Sequence, residues 1–124
     1  MTGANGYSCK VFLLCGYEVG FYNDPDKYMR FPQDGAKLDY FITGNNESTA
    51  NERRKAWLTG ETHGYNGTAW WLRTGDSYAT TCQWCVATDG HAFNGTVTNL
   101  FGLRPAIIMP SDTLINTSTY TIIT

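Results

Sequence analysis

What the chain has little of narrows it first. Nine lysines and arginines stand against eleven acidic residues, a formal net charge of -2, and the basic residues are spread along the sequence. That distribution offers no electrostatic footprint for a phosphate backbone, so nucleic acid is not an expected partner. No apolar run approaches the roughly eighteen residues that cross a bilayer, and the opening Met1-Thr2-Gly3-Ala4-Asn5 has neither the basic nor the apolar region of a signal peptide. Membrane insertion is therefore not expected. Histidine is scarce: His63 and His91 are the only two, and neither lies in a His-Glu-x-x-His helix or beside a Gly-x-Ser-x-Gly elbow. No catalytic triad can be assembled, and the expectation is a non-enzyme with no cofactor and no metal. Internal repeats and linkers are absent as well.

What is present is aromatic and glycine-rich. Rings make up 15% of the residues, there are 13 glycines, and only 16% of the residues are charged, a balance that favours a small loop-rich β or α+β fold stiffened by buried side chains. With 124 residues and 42% apolar content, the chain is long enough for one compact domain burying roughly two thirds of its unfolded surface. The expectation is a single domain over 1–124, standing alone or as the C-terminal module of a longer chain.

Local signals divide the chain into elements. Lys10 to Val19 is short, strongly apolar and bounded by glycines, which predicts a largely buried strand. Tyr22 to Tyr28 carries Asx and Pro turn chemistry, and Asp34-Gly35 gives a second turn before the apolar patch Leu38 to Ile42, all read as packed irregular loop. A helix of about two turns is predicted from Thr49, taken as N-cap with Glu52 completing a capping box, to a stop at Gly60. Strands follow over Ala69–Thr74 and Gln83–Thr88, with Asp89-Gly90 as a tight turn into His91–Phe93. Arg104–Met109 is another strand candidate. Because proline donates no ladder hydrogen bond, that strand should begin near Pro105 or lie at an edge. Tyr120 to Ile123 is a candidate terminal strand.

The most informative pattern is a pair of rigid blocks, Trp70-Trp71-Leu72-Arg73 and Gly102-Leu103-Arg104-Pro105-Ala106, bracketing a segment of different character. Between them lie small, polar and turn-forming residues with a few large side chains set among them. These blocks, with Trp84-x-Val86 before Asp89-Gly90 and the opening Lys10-Val11-Phe12-Leu13-Leu14 followed by Tyr17-Glu18-Val19-Gly20, resemble a domain family of unknown function from phages and gut-type Firmicutes. The resemblance covers nearly the whole chain. That family is similar to the C-type lectin fold, in the broad form shared by formylglycine-generating enzymes and by the variable proteins of diversity-generating retroelements.

The resemblance implies an α+β, C-type-lectin-like fold: a twisted antiparallel sheet, a short helix and extensive loops. It also implies a scaffold of Trp70, Trp71, Arg73, Trp84, Gly102, Arg104 and Pro105 carrying a displayed ligand-binding set. The candidates for that set are Thr74, Asp76, Ser77, Tyr78, Thr81, Gln83, His91, Phe93, Asn94, Thr96, Asn99 and Phe101. The expected role is non-catalytic recognition of a cell-surface protein or glycan, from a phage tail or other virion protein or a bacterial cell surface, on a surface open to diversification by a retroelement. Any homo-oligomer would form through the parent protein. The alternative is an assembly domain whose exposed face packs on neighbouring subunits.

Blander readings compete at several of these residues. Trp70 and Trp71 are adjacent, so on a strand they point to opposite faces and at least one is core. Arg73 and Arg104 read as structural, bonded to backbone carbonyls or stacked on tryptophan, rather than as an anion clamp. Loss of Trp71 or Arg104 is expected to lower stability sharply, and loss of Tyr78 or His91 to leave it nearly unchanged. Cys82-x-x-Cys85 has redox or zinc half-site spacing, but Cys9-x5-Cys15 does not supply a second tight knuckle, so free thiols are expected. In the formylglycine-generating enzymes a cysteine pair in the C-terminal half holds copper, which keeps a redox or copper reading of Cys82 and Cys85 open. Asn23, Asp24 and Asp26 are oxygen-rich enough for calcium, yet Pro25 and the Asx residues explain the same stretch as a turn. The Glu-Pro-Asn and Trp-Asn-Asp signatures of calcium-dependent lectins are missing. Asn46, Asn66, Asn94 and Asn116 open Asn-x-Ser/Thr triplets, which an Asn- and Thr-rich composition explains without glycosylation.

Overall fold

The computed structural model describes residues 11–23, 29–42, 44, 46–109, 112–119 and 121–122. Cys9, Asp24 and Asp26, and with the last two the calcium reading, lie outside them. In chain order the elements are β1 (Phe12–Leu13), α1 (Asp39–Ile42), α2 (Glu47–Arg54), β2 (Trp70–Gly75), β3 (Cys82–Val86), β4 (Ala92–Thr96), β5 (Pro105–Ala106), β6 (Ile115–Asn116) and β7 (Thr121–Ile122). The architecture is α+β and mostly antiparallel. A three-stranded sheet runs β2-β3-β4, and two small ribbons pair β1 with β5 and β6 with β7.

Two compact units are distinguished, one from Leu13 to Pro105 and one from the terminal segments. In the terminal unit Ile115 faces Ile122 and Asn116 faces Thr121, and Asn116 Oδ1 accepts from the backbone N–H of Ser118 and Thr119 to close the turn. The larger unit holds the three-stranded sheet and both helices.

Strand alternation sorts the sheet's side chains. Trp70, Val86 and Ala92 oppose one another across the three strands, as do Trp71, Cys85 and Phe93, and these two sets project from opposite faces. On the first face Trp70, Leu72, Trp84 and Val86 are buried. Phe31 packs on Trp84 with ring centroids 4.8 Å apart, and Phe21 on Phe31 at 5.2 Å. Trp70 Nε1 donates to the Arg54 carbonyl, 2.9 Å, joining the sheet to the end of α2. Of the adjacent tryptophans, Trp70 is thus the core ring, while Trp71 is half-buried on the other face.

Two arginines, Arg54 buried and Arg73 half-buried, hold the loops against this core. Arg54, 1% exposed, donates to the Val19 and Gly20 carbonyls, to Asn51 Oδ1 and to Glu47, and lies over the Phe21 ring. Burial pulls its pKa below the usual arginine range, against the opposing pull of Glu47. Arg73 extends from β2 to the Leu13 carbonyl, Glu18 and Asp34. Desolvation acts to lower its pKa, but the bonds to Glu18 and Asp34 prevail and the net shift is upward. Glu18 also accepts from the Cys15 N–H. Arg104 takes its structural role as well, lying over Trp70 and Phe41 and reaching the Arg53 and Arg54 carbonyls at 3.4 Å.

Several boundaries differ from expectation for identifiable reasons. Of the predicted Lys10–Val19 strand, Lys10 lies outside the described residues, Val11 is exposed, residues 14–16 and 18–19 are buried, and only Phe12–Leu13 is strand. From Gly16 the chain turns, because Glu18 captures the Cys15 N–H and Phe21 N bonds the Gly16 carbonyl at 2.9 Å. Leu38–Ile42, read as loop, contains a single helical turn. Helix α2 begins three residues early: Asn46 is its N-cap, with Oδ1 accepting from Thr49 N at 2.8 Å. It ends at Arg54 rather than near Gly60. The predicted Arg104–Met109 strand shrinks to Pro105–Ala106 and does start at its proline. Gly90 adopts φ +92 in the β3–β4 turn, and a Cβ there would collide with the Asn51 carbonyl oxygen. Glycine is required because this turn lies directly on α2.

Candidate functional site

The β2–β3–β4 sheet presents different surfaces at its two ends. At the end where β2 leads into β3, the connecting loop 76–81 meets the segment that leaves β4. Val97 N donates to the Thr81 carbonyl at 2.9 Å, and Cys82 pairs with Thr96. Ser77, Tyr78, Thr81, Thr96 and Asn99 are all exposed here. Beside them stand Val97 and Leu100, with Leu100 fully exposed.

Other members of the predicted set hold this end in place. Asp76 Oδ1 accepts from Tyr78 N and its Oδ2 from Asn94 Nδ2, both at 2.9 Å, tying the loop to β4. Thr74 Oγ1 accepts from Gly16 N at 2.9 Å. The β2–β3 register shifts between Trp71 and Gly75, and Gln83 Nε2 donates to the Leu72 carbonyl inside that irregularity. A side-chain amide thus supplies a bond the ladder does not make, which fixes the bulge. Thr74, Asp76, Gln83 and Asn94 therefore act as anchors within the displayed set.

Phe93 and Phe101 build the floor. Phe101 lies 4.9 Å from Trp71 and meets Phe93 edge-on at 5.5 Å. It fits because Gly95 leaves room: a Cβ there would be 2.7 Å from the Phe101 ring. The segment bearing Phe101 is bonded along β2, with Trp71 N donating to the Gly102 carbonyl at 3.0 Å and Gly102 N to the Ala69 carbonyl at 2.8 Å. The next bond along that edge, Arg73 N to the Leu14 carbonyl at 3.0 Å, belongs to a different segment. Leu13, Trp71, Gln83, Val97 and Leu103 line a cavity of about 230 Å³ between these segments. Its lining is apolar apart from the Gln83 amide. Sequence reading missed Leu13, Val97 and Leu103 as lining residues, since an isolated apolar residue in a turn-rich stretch gives no signal of its face.

His91 does not join this group. It precedes β4, whose five residues span roughly 17 Å, and so stands at the opposite end of the sheet. Its Nδ1 lies 3.2 Å from Asp89 Oδ1 and its Nε2 3.0 Å from Asn51 Nδ2. An amide N–H donates, so Nε2 accepts and the proton resides on Nδ1, facing Asp89. The bonds from His91 hold the Asp89 carboxyl below the usual carboxylate range. Here Ser48, Asn51, Glu52 and Lys55 of α2 and its cap, with Tyr65, Asp89 and His91, surround a second cavity of about 360 Å³. Its α2 residues were not anticipated. The one available signal was helical spacing, since Asn51, Glu52 and Lys55 fall within one turn of each other.

Cys15, Cys82 and Cys85 are free thiols. Cys82 and Cys85 lie three apart on β3, so they project to opposite faces and do not converge on one metal. Burial raises the Cys15 pKa and pushes the Cys85 thiol up to about 12; a neutral thiol is a poor nucleophile and metal ligand. No group of three or more His, Cys, Asp or Glu side chains suited to a metal occurs among the described residues. Among them, too, no helix is long and apolar enough to cross a membrane.

The chain matches the family described as Domain of unknown function (DUF6273) over residues 1–111, and it belongs to that family. No curated protein and no solved structure matches it.

Proposed function

We propose that this domain is a non-catalytic recognition module that binds a cell-surface protein or glycan through the end of the sheet formed by loop 76–81 and residues 96–101. The observation that carries the reading is a division of labour. Exposed Ser77, Tyr78, Thr81, Thr96 and Asn99 gather on one rim, while Asp76, Asn94, Thr74 and Gln83 fix the backbone beneath them. A rim built this way tolerates changed side chains without a changed fold, and Tyr78 supplies contact area at small entropic cost.

The proposal extends to the scaffold and its setting. We read the α+β arrangement as C-type-lectin-like, akin to the variable proteins of diversity-generating retroelements, and place the domain in a phage tail, another virion protein or a bacterial surface protein. Display in several copies raises effective concentration, so individually weak contacts suffice.

The test is to sequence this coding region across closely related isolates and count substitutions by position. Concentration at Ser77, Tyr78, Thr81, Thr96 and Asn99, with Asp76, Asn94 and Gln83 fixed, is expected. An even spread would sink the idea of a diversified surface. A second reading, an assembly domain, draws on the exposed Val97, Leu100 and Leu103 beside the apolar cavity. It predicts concentration-dependent self-association that Leu100→Asp abolishes.

A further inference from the structure

We propose that the cleft between α2 and the Asp89–His91 turn is a separate binding site for a neutral polyhydroxylated ligand, a monosaccharide or the end of a glycan chain. It lies at the opposite end of the sheet from the rim described above, and the inference stands whether or not that rim binds a partner.

The cavity, at about 360 Å³, falls within the roughly 300–1,000 Å³ of small-molecule sites. Its walls are preorganised. Gly90 presses the turn onto the Asn51 carbonyl. Asn51, 8% exposed, is held by Arg54 on its Oδ1 and gives its amide nitrogen to His91. Lys55 Nζ is fixed by Glu52 Oε1 at 2.7 Å and by the Tyr65 carbonyl at 2.8 Å. The polar groups around the opening thus keep their positions without a ligand, which lowers the entropic cost of binding.

The chemistry of the lining selects the ligand class. An apolar ligand would desolvate carboxylate, imidazole and ammonium groups with nothing to replace their hydrogen bonds. An anion meets two carboxylates, Glu52 and Asp89, against the single ammonium of Lys55, which is already paired. For a cation the natural aromatic partner is Tyr65, but the Lys55 ammonium lies 4.5 Å from that ring's centroid and repels a second positive charge. Neutral hydroxyl groups fit: each carboxylate offers roughly four lone-pair sites, so Glu52 and Asp89 accept from hydroxyls and the ring side of His91 is within the same cleft. Lys55 lies over one face of the Tyr65 ring, and the ring, 85% exposed, keeps its other face open as a flat apolar surface on which a sugar ring stacks.

The test is an amide NMR titration of the full chain with methyl glucoside, methyl galactoside and N-acetylglucosamine, with inorganic phosphate and tetramethylammonium as ionic probes. At least one sugar should give saturable shifts at Asn51, Glu52 and Gly90. Binding should weaken about tenfold in Tyr65→Ala and in Glu52→Gln, the weight of one or two hydrogen bonds to a charged group, and stay unchanged in Leu114→Ala, whose side chain is exposed. Both altered side chains are largely exposed, so the rest of the spectrum should be preserved. Absence of saturable shifts with all three sugars overturns the proposal, as does tighter binding of phosphate or tetramethylammonium at these residues, or equal sugar binding by both cleft variants.

Discussion

Trp70 and Trp71 are neighbours in sequence and identical in composition, yet they live in different environments. Trp70 is 1% exposed, bonded to the end of α2 and covered by Arg104. Trp71 is half-buried on the other side of β2, resting against Phe101 and lining the apolar cavity. The face that carries Trp70 packs against helix and loop through buried rings and the buried Arg54, whereas the face that carries Trp71 meets the strap that holds Phe101 and an apolar cavity. One face sets stability; the other forms the floor of a surface that can change.

The sharpest way to break this comparison is to truncate both rings. Trp70→Ala should destabilise by about 3–5 kcal/mol, through a lost core ring and its lost bond to the Arg54 carbonyl, and Trp71→Ala by roughly half of that. Chemical denaturation measures both, and equal losses would erase the distinction between the faces. Next in size is Arg73→Met. It leaves Glu18, 6% exposed, without its guanidinium partner, and should cost about 2–3 kcal/mol after allowance for the partial exposure of Arg73. A loss within error would mean Glu18 is held by the Cys15 N–H alone.

Cys85 sharpens the comparison from the other face. Its native pKa of about 12 lies above the 9.0 of an ordinary cysteine. The native state therefore keeps the proton that the unfolded chain gives up, so the thiol's contribution is complete below pH 9 and is lost as the pH climbs toward 12. At pH 10 the loss should be about 1 kcal/mol, and a Cys85→Ala variant should lack that component of the alkaline decline. In alkylation at pH 8 followed by mass spectrometry, half-exposed Cys82 should react before Cys15 and Cys85. Early labelling of Cys85 would show that the Phe101 strap opens readily.

The smallest effects belong to the rim and the turn. His91→Ala removes the bond to Asn51 and should cost about 1 kcal/mol, more than the near-neutral change its sequence context suggests. Tyr78→Ala should stay within about 0.5 kcal/mol of the parent. Thermal unfolding of the pair tests whether His91 belongs to the framework and Tyr78 to the display.

How much was legible beforehand follows from how local each signal is. The β2–β4 strands, the Asp89-Gly90 turn and a strand starting at Pro105 were readable, because alternation, glycine conformation and the missing proline donor act within a few residues. The cap of α2 was misplaced because Asn46 and Thr49 are both competent caps, and the carboxamide three residues upstream took the bond. For the candidate rim, the segment between the two blocks was identified, but its sorting into anchors and displayed residues was not. Whether Asp76 reaches Asn94, or Gln83 the Leu72 carbonyl, depends on cross-strand register, which composition does not specify.

The sequence by itself determined a short helix among strand segments, the tight turn at Asp89-Gly90, and the placement of adjacent tryptophans on opposite faces, since each follows from short-range periodicity and backbone chemistry. Only the tertiary structure decided which tryptophan is core, that Arg54 and Lys55 of a charged Arg53-Arg54-Lys55 run are buried, and that His91 faces α2 at the far end from Thr96. Those outcomes rest on contacts between residues tens of positions apart, where packing and desolvation choose among side chains that look equivalent along the chain.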